Sequence, residues 1–117
     1  MHQPSSLHDS PLELLRARAQ TLCAEMLASV PAGLVRAAFL GGSAARGDVW
    51  AARVDAGWEI YSDLDIYVVV SDERALVPVR ARATEASERL PATGTGVRFL
   101  RGAEVGVYTL EDLVAQP

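Results

Sequence analysis

The segment Asp63–Val70 constrains the fold of this chain more than any other part of its sequence. It reads Asp-Leu-Asp-Ile-Tyr-Val-Val-Val, an apolar run rich in β-branched residues that is typical of a buried strand. Side chains alternate between the two faces of a strand, so one set is predicted to enter the core: Leu64, Ile66, Val68 and Val70. Asp63, Asp65, Tyr67 and Val69 then share the opposite face, with the two carboxylates roughly 7 Å apart. The fold must bury one face of this strand and leave two carboxylates accessible at its start.

A turn of small residues precedes the two aspartates in the chain. Gly41-Gly42-Ser43 follows a predicted short, buried strand at Val35–Leu40. The backbone N–H groups of such a turn can bind phosphate oxygens. Two adjacent carboxylates repel each other, and a bound cation relieves that repulsion. A turn of this kind beside a pair of aspartates therefore indicates a site for a metal-bound phosphate, which is nucleotide chemistry.

A third carboxylate, Glu104, lies on the last predicted strand. That strand covers about 97–108 with an interruption near Gly102, and alternate residues from Glu104 to Tyr108 share one face. If it neighbours the Asp63–Val70 strand, Glu104 lies on the same face as the aspartates. Three carboxylates there can hold Mg²⁺ and leave an oxygen to accept a proton. Taken singly, the aspartate pair is also typical of a solvated strand end, and Glu104 of an exposed strand position.

The remaining elements follow from capping residues and periodicity. Ser10-Pro11-Leu12-Glu13 is a capping box that predicts the start of a helix. The predicted elements are a helix over about 11–29, a hairpin around Asp55-Ala56-Gly57, a helix over Pro78–Leu90, a loop over 91–96 and a short helix after Thr109. This order predicts an α+β fold, a small mixed or antiparallel sheet with helices packed on one face. Residues 1–9 are predicted to be a flexible leader, and 10–117 a single domain.

Composition places the chain among small soluble globular domains. Its 117 residues suffice for one core, 50% of them are hydrophobic, and 22% are charged. A net charge of -4 disfavours general nucleic-acid binding, which needs a basic surface. The single cysteine, Cys23, excludes an intrachain disulfide, and no apolar run reaches the length of a membrane span. We therefore expect a cytoplasmic protein without a membrane partner.

Three motifs resemble those of the DNA polymerase β-like nucleotidyltransferase superfamily. They are Gly-Gly-Ser-Ala-Ala-Arg-Gly from Gly41, Ser-Asp-Leu-Asp-Ile-Tyr-Val-Val-Val from Ser62, and Glu-Val-Gly-Val-Tyr-Thr-Leu-Glu-Asp-Leu from Glu104. Within the superfamily they look most like the aminoglycoside nucleotidyltransferases of the streptomycin and kanamycin type and the minimal bacterial members. The resemblance covers about residues 35–113 and implies a nucleotidyltransferase fold.

The resemblance also implies a role for each candidate site residue. Asp63 and Asp65 would coordinate Mg²⁺, the cofactor, and Gly42 and Ser43 would hold the terminal phosphates of a nucleoside triphosphate. Glu104 matches the third carboxylate, which serves as general base in the antibiotic-modifying members, although a role as metal ligand stays open. These expectations together describe one catalytic site on one face of the sheet.

Two further features bear on the resemblance. Arg46 follows the turn, and a phosphate contact and a plain surface position are equally favoured for it. The spacing from Ser43 to Asp63 is longer than in the minimal members, and the predicted hairpin accounts for the excess. The aminoglycoside enzymes carry a second, mostly helical domain that binds the acceptor, and this sequence contains no counterpart. We therefore expect the acceptor site to be absent, supplied by a partner, or outside this chain.

Two functions from different classes follow. The first is an Mg²⁺-dependent nucleotidyltransferase that moves AMP from ATP to a hydroxyl of a small molecule, such as an aminoglycoside, or of a protein. The second is a stand-alone nucleotidyltransferase-like module of the antitoxin kind, which binds a partner protein or a second copy with little or no turnover. Intact carboxylates favour the enzyme, and the missing acceptor domain favours a partner.

Overall fold

The computed structural model describes residues 10–55 and 57–115, and the predicted leader at 1–9 lies outside them. Its helices and strands follow in chain order: α1 (Pro11–Ala28), β1 (Val35–Leu40), α2 (Gly42–Ala45), β2 (Ala51–Val54), β3 (Gly57–Ile60), β4 (Leu64–Val70), α3 (Leu76–Arg89), β5 (Thr93–Gly94), β6 (Val97–Phe99), β7 (Ala103–Thr109) and α4 (Leu110–Val114). A single 3-10 turn at Glu73–Ala75 leads into α3. The predicted α+β class is therefore confirmed.

Strand β4 is the centre of a three-stranded mixed sheet. It pairs antiparallel with β1 on one side and parallel with β7 on the other. The register places Phe39 opposite Tyr67 on the β1 side, and Glu104 opposite Asp65 on the β7 side. Parallel neighbours need a crossover connection, and the chain between β4 and β7 supplies it with α3.

Helices α1 and α3 cover one face of this sheet and form the core with it. The large side chains that are less than 2% exposed include Leu15, Leu22 and Met26 of α1, Val79 of α3, and Leu64, Ile66, Val68 and Val70 of β4. The alternation predicted for β4 is thus confirmed, because every second residue from Leu64 to Val70 enters one hydrophobic cluster. No helix among the described residues is both long and apolar enough to cross a membrane.

Capping explains where two of the helices begin. The Ser10 side chain accepts the N–H of Glu13 at 3.1 Å, and the Glu13 carboxylate accepts the N–H of Ser10 at 3.2 Å, so the predicted capping box is confirmed. At α4, the Thr109 hydroxyl accepts the N–H of Asp112 at 3.2 Å. Helix α3 starts at Leu76, two residues before the predicted position, because the 3-10 turn already sets its direction.

A second, four-stranded sheet was not predicted. Its order is β2-β3-β6-β5, and the predicted hairpin forms its β2–β3 arm. Strand β3 ends at Ile60, with three residues between it and β4, and it pairs parallel with β6. Gly57 makes this pairing feasible, because a Cβ at that position would collide with the carbonyl of Gly96. The segment predicted as a loop over 91–96 contains β5, which closes the sheet next to β6.

The prediction of a buried strand at Val35–Leu40 is wrong in one respect. The strand has the predicted bounds, but its residues are half-buried or exposed, and Phe39 is 43% exposed. β1 is an edge strand, and only its half-buried residues Val35, Ala38 and Leu40 pack against the core, whereas Phe39 does not.

Truncation of the core should separate buried from exposed leucines on the same helix. We expect Leu15→Ala, at a fully buried position, to lower the free energy of unfolding by about 2–5 kcal/mol, because it leaves a cavity against the sheet. Leu27→Ala makes the same change at a 45% exposed position of α1 and should cost about 0.5 kcal/mol or less. Urea unfolding followed by circular dichroism measures both, and equal losses would contradict the assigned packing of α1.

Candidate active site

The turn after β1 carries the backbone of the candidate site. Gly42–Ala45 forms a single helical turn with Gly41 as its N-cap residue. The N–H of Gly41 donates to the carbonyl of Asp65 at 2.9 Å and so ties the turn to β4. Within the first turn of a helix, backbone N–H groups have no helical carbonyl before them. The N–H groups of Gly42 and Ser43 are therefore left for an external acceptor.

The carboxylate of Asp65 lies directly against this turn. Gly42 has a φ of 64°, in the left-handed region that favours glycine, and a Cβ there would collide with Oδ2 of Asp65. A Cβ on Gly41 would lie 3.2 Å from the ring of Tyr67. The two glycines thus let side chains of β4 approach the backbone of the turn more closely than any other residue type would allow.

Asp65 and Glu104 stand side by side on the same face of the sheet. They are register partners on adjacent parallel strands, where backbones lie about 4.8 Å apart. Asp65 is half-buried and Glu104 is exposed. Neither carboxylate has a hydrogen bond or ion pair to another described residue. The predicted proximity of these two residues is therefore observed, with two unpartnered like charges next to each other.

Asp63 has a different environment because a cation of the chain holds its carboxylate. The residue lies just before β4, and Nε of Arg101 is 3.1 Å from its Oδ1. The Arg101 side chain is 62% exposed and the Asp63 side chain 41%, so the pair contributes at most about 1 kcal/mol to stability. Arg101 is not among the predicted site residues, and its place three positions before Glu104 is the one feature of the sequence that puts a cation near the acidic residues.

The three carboxylates fit Mg²⁺ in chemical kind, since hard divalent cations prefer carboxylate oxygens. Over residues 10–55 and 57–115, however, no group of three or more His, Cys, Asp or Glu side chains is arranged to hold a metal ion. The orientation of Asp63 toward Arg101 gives a physical reason for this. Asp65 and Glu104 are the carboxylates free to bind a cation, and Asp63 would join them after separating from Arg101.

Ser43 and Arg46 complete the turn. The Ser43 carbonyl accepts the N–H groups of Arg46 and Asp48 at 3.1 and 2.9 Å, while its hydroxyl has no hydrogen-bond partner among the described residues. The Arg46 guanidinium lies 3.4 Å from the carbonyl of Gly42 and 3.9 Å from the Asp48 carboxylate, and it is well exposed. Arg46 therefore sits at the rim of the turn, a position compatible with both roles predicted for it.

An aromatic stripe crosses the same face of the sheet, with one ring from each strand. The ring centroids of Phe39 and Tyr67 are 5.5 Å apart, and those of Tyr67 and Tyr108 are 5.9 Å apart, both in edge-to-face geometry. Gly106 makes room for the third ring, because a Cβ there would lie 2.6 Å from the Tyr108 side chain. Tyr67 and Tyr108 therefore pack against each other, and the stripe leaves apolar surface beside the carboxylates.

No family model, curated protein or solved structure matches this chain. The resemblance to nucleotidyltransferases consequently rests on the three sequence motifs. Independently of that resemblance, the structure brings together Gly42, Ser43, Asp65 and Glu104 and turns Asp63 toward Arg101.

Substitution of Gly42 should reveal the contact between the turn and Asp65. Gly42→Ala adds both an unfavourable φ and a collision with the Asp65 carboxylate, whereas Gly47→Ala, at a φ of 83°, adds a Cβ in open space. We expect Gly47→Ala to cost about 1–2 kcal/mol of unfolding free energy and Gly42→Ala to cost about 0.5–3 kcal/mol more.

An Asp65→Ala background provides the control, because it removes the oxygen with which the new Cβ collides. In that background the two glycine substitutions should lower the free energy of unfolding by similar amounts, as measured by chemical denaturation. An excess cost of Gly42→Ala that persists in this background would show that Asp65 does not lie against the turn.

Proposed function

We propose that this chain is a metal-dependent nucleotidyltransferase domain with a DNA polymerase β-like fold, acting on a nucleoside triphosphate, ATP in the first instance. The observation that carries the proposal is the contact of Asp65 with Gly42. It joins a carboxylate able to bind a metal to a turn whose N–H groups are free for phosphate. Glu104, opposite Asp65 in the parallel register, adds a second unpartnered carboxylate at the same place.

Under this proposal each candidate site residue has a defined role. The N–H groups of Gly42 and Ser43 and the Ser43 hydroxyl orient the triphosphate. Asp65 and Asp63 would hold Mg²⁺, which when bound supplies charge neutralisation for the phosphates. When Asp63 binds the metal, its ion pair with Arg101 would break, and the Arg101 guanidinium would be available to the same phosphates.

Glu104 is placed to act on the acceptor. Its carboxylate is exposed and has no partner among the described residues, so it can take the proton of an acceptor hydroxyl. The acceptor oxygen forms a bond to the α-phosphorus, the bond to the bridging oxygen breaks, and pyrophosphate leaves with that electron pair. The product is an adenylated small molecule or protein, with an aminoglycoside as one candidate acceptor.

A second function is favoured by the aromatic stripe and by the Asp63–Arg101 pair. Phe39 is 43% exposed and Tyr67 36%, which leaves apolar area on the open face of the sheet. Arg101 neutralises one of the acidic residues without a metal. Both features suit a partner-binding module, bound to another protein or a second copy, in which the carboxylates contribute little to turnover.

Nucleotide binding should depend on a divalent metal and on Asp65. We expect Asp65→Asn to weaken Mg²⁺–ATP binding by about tenfold or more, a loss of about 1.4 kcal/mol of binding free energy. Because the substitution removes a like charge next to Glu104, stability should hold or rise slightly.

Asp112→Asn is the control, since it deletes the same charge from an exposed site on α4. Calorimetric titration with Mg²⁺–ATP and with ATP in a chelator measures the effect. Equal affinity in the two solutions would count against the metal, and equal losses for the two variants would count against Asp65.

Glu104 should affect turnover more than binding. A general base contributes about 10²–10⁴-fold in rate, so Glu104→Gln should lose transfer by that factor and keep most of its Mg²⁺–ATP affinity. Pyrophosphate release in the presence of candidate aminoglycosides or a partner protein measures turnover, with Glu111→Gln, an exposed glutamate of α4, as control. If Glu104→Gln loses nucleotide affinity as Asp65→Asn does, Glu104 is a metal ligand and the base lies elsewhere.

A further inference from the structure

Arg18 of α1 is a buried cation without an anionic partner. It is 9% exposed, and its position on the helix places it among the core residues Leu15 and Leu22. Nη1 donates to the carbonyl of Arg101 at 3.0 Å, and Nη2 to the carbonyl of Pro91 at 3.3 Å. Nε is buried and has no hydrogen-bond partner among the described residues. No carboxylate of those residues lies within ion-pair distance of the guanidinium.

This arrangement is energetically incomplete. Burial of an unpaired charge costs several kcal/mol, and about 1–3 kcal/mol is associated with a buried donor that lacks an acceptor. The two carbonyls and the ring of Phe99, whose centroid is 4.3 Å from Cζ, offset part of that cost. The same burial disfavours the charged form of the Arg18 guanidinium and so lowers its pKa. An anion in contact with the guanidinium would supply the missing charge.

A cavity of about 280 Å³ lies at this guanidinium, between α1 and the segment that carries β5 and β6. Arg18 supplies its charge, and Leu14, Leu90, Val97 and Phe99 supply apolar walls. Thr93 and Thr95, both exposed, also line the cavity. Small-molecule pockets range from about 300 to 1,000 Å³. This cavity lies near the lower end of that range, so it is too small for a nucleotide and large enough for a short ligand.

We propose that this cavity, distinct from the carboxylate site, binds a small organic carboxylate whose short apolar chain lies against Leu14, Val97 and Phe99 and whose carboxylate pairs with Arg18. A planar carboxylate matches the guanidinium better than a spherical anion does, and the two interact through charge-assisted hydrogen bonds. The apolar walls select a chain of a few carbon atoms over acetate or a highly charged metabolite.

Hexanoate is the probe, and the Nε–Hε signal of Arg18 in a ¹⁵N-labelled protein is the readout. A saturable shift of this signal is expected with hexanoate, a smaller one with acetate, and none with hexanol, which has the chain without the charge. Absence of a saturable hexanoate shift, or an equal shift with hexanol, would overturn the proposal.

Two variants keep the test independent of whether removal of Arg18 is tolerated. Ala17→Phe fills the cavity from an exposed position of α1 and keeps the guanidinium; Ala24→Phe makes the same change on α1 outside the cavity. Ala17→Phe should weaken hexanoate binding by about tenfold or more, while Ala24→Phe should leave it unchanged. Arg18→Met, if it folds, should abolish binding, and equal hexanoate affinity in the wild type and Ala17→Phe would place the ligand elsewhere.

Discussion

Strand β4 is hydrogen-bonded to a neighbour on each side, and the candidate site depends on that central position. Its alternate residues from Leu64 to Val70 enter the core, which fixes the face on which Asp65 and Tyr67 project. The antiparallel pairing with β1 brings the glycine turn to Asp65, and the parallel pairing with β7 brings Glu104 to it. A shift of either pairing by one residue would move these groups to opposite faces of the sheet.

The electrostatics of the open face follow from this geometry. Two unpartnered carboxylates side by side are unfavourable unless a cation is shared between them. Arg101 neutralises the neighbouring Asp63 but pairs with neither Asp65 nor Glu104, so no ion pair among the described residues relieves the repulsion between those two. Because the Asp63–Arg101 pair is exposed and weak, a divalent cation can compete for Asp63 at little cost in stability. The arrangement is therefore compatible with a bound cation and also with an acidic surface that the chain itself partly neutralises.

Much of the fold could be predicted from local signals in the sequence. The capping box at Ser10, the alternation in β4 and the interruption at Gly102 each have a local physical cause, and the structure shows all three. The second sheet could not be predicted, because the parallel pairing of β3 with β6 joins segments far apart in the chain and leaves no local pattern. The exposure of β1 was missed for a related reason, since edge position is a property of the whole sheet.

The candidate site divides in the same way. Asp65, Glu104 and the glycine turn were identifiable because period-two alternation and turn chemistry act locally. The orientation of the Asp63 side chain could not be predicted from the sequence, because it depends on an ion pair with Arg101, nearly forty residues later in the chain.

Arg18 connects the carboxylate site to the rest of the molecule. It occupies the buried face of α1, where an apolar residue would satisfy the helical pattern, and it donates to the carbonyl of Arg101. The side chain of Arg101 in turn holds Asp63. The backbone of one residue is therefore fixed by a buried cation, while its side chain neutralises an acid at the candidate active site. The hydrogen bond from Arg18 restrains the main chain from which Arg101 extends, and a restrained main chain loses less conformational entropy when the exposed Asp63–Arg101 pair forms.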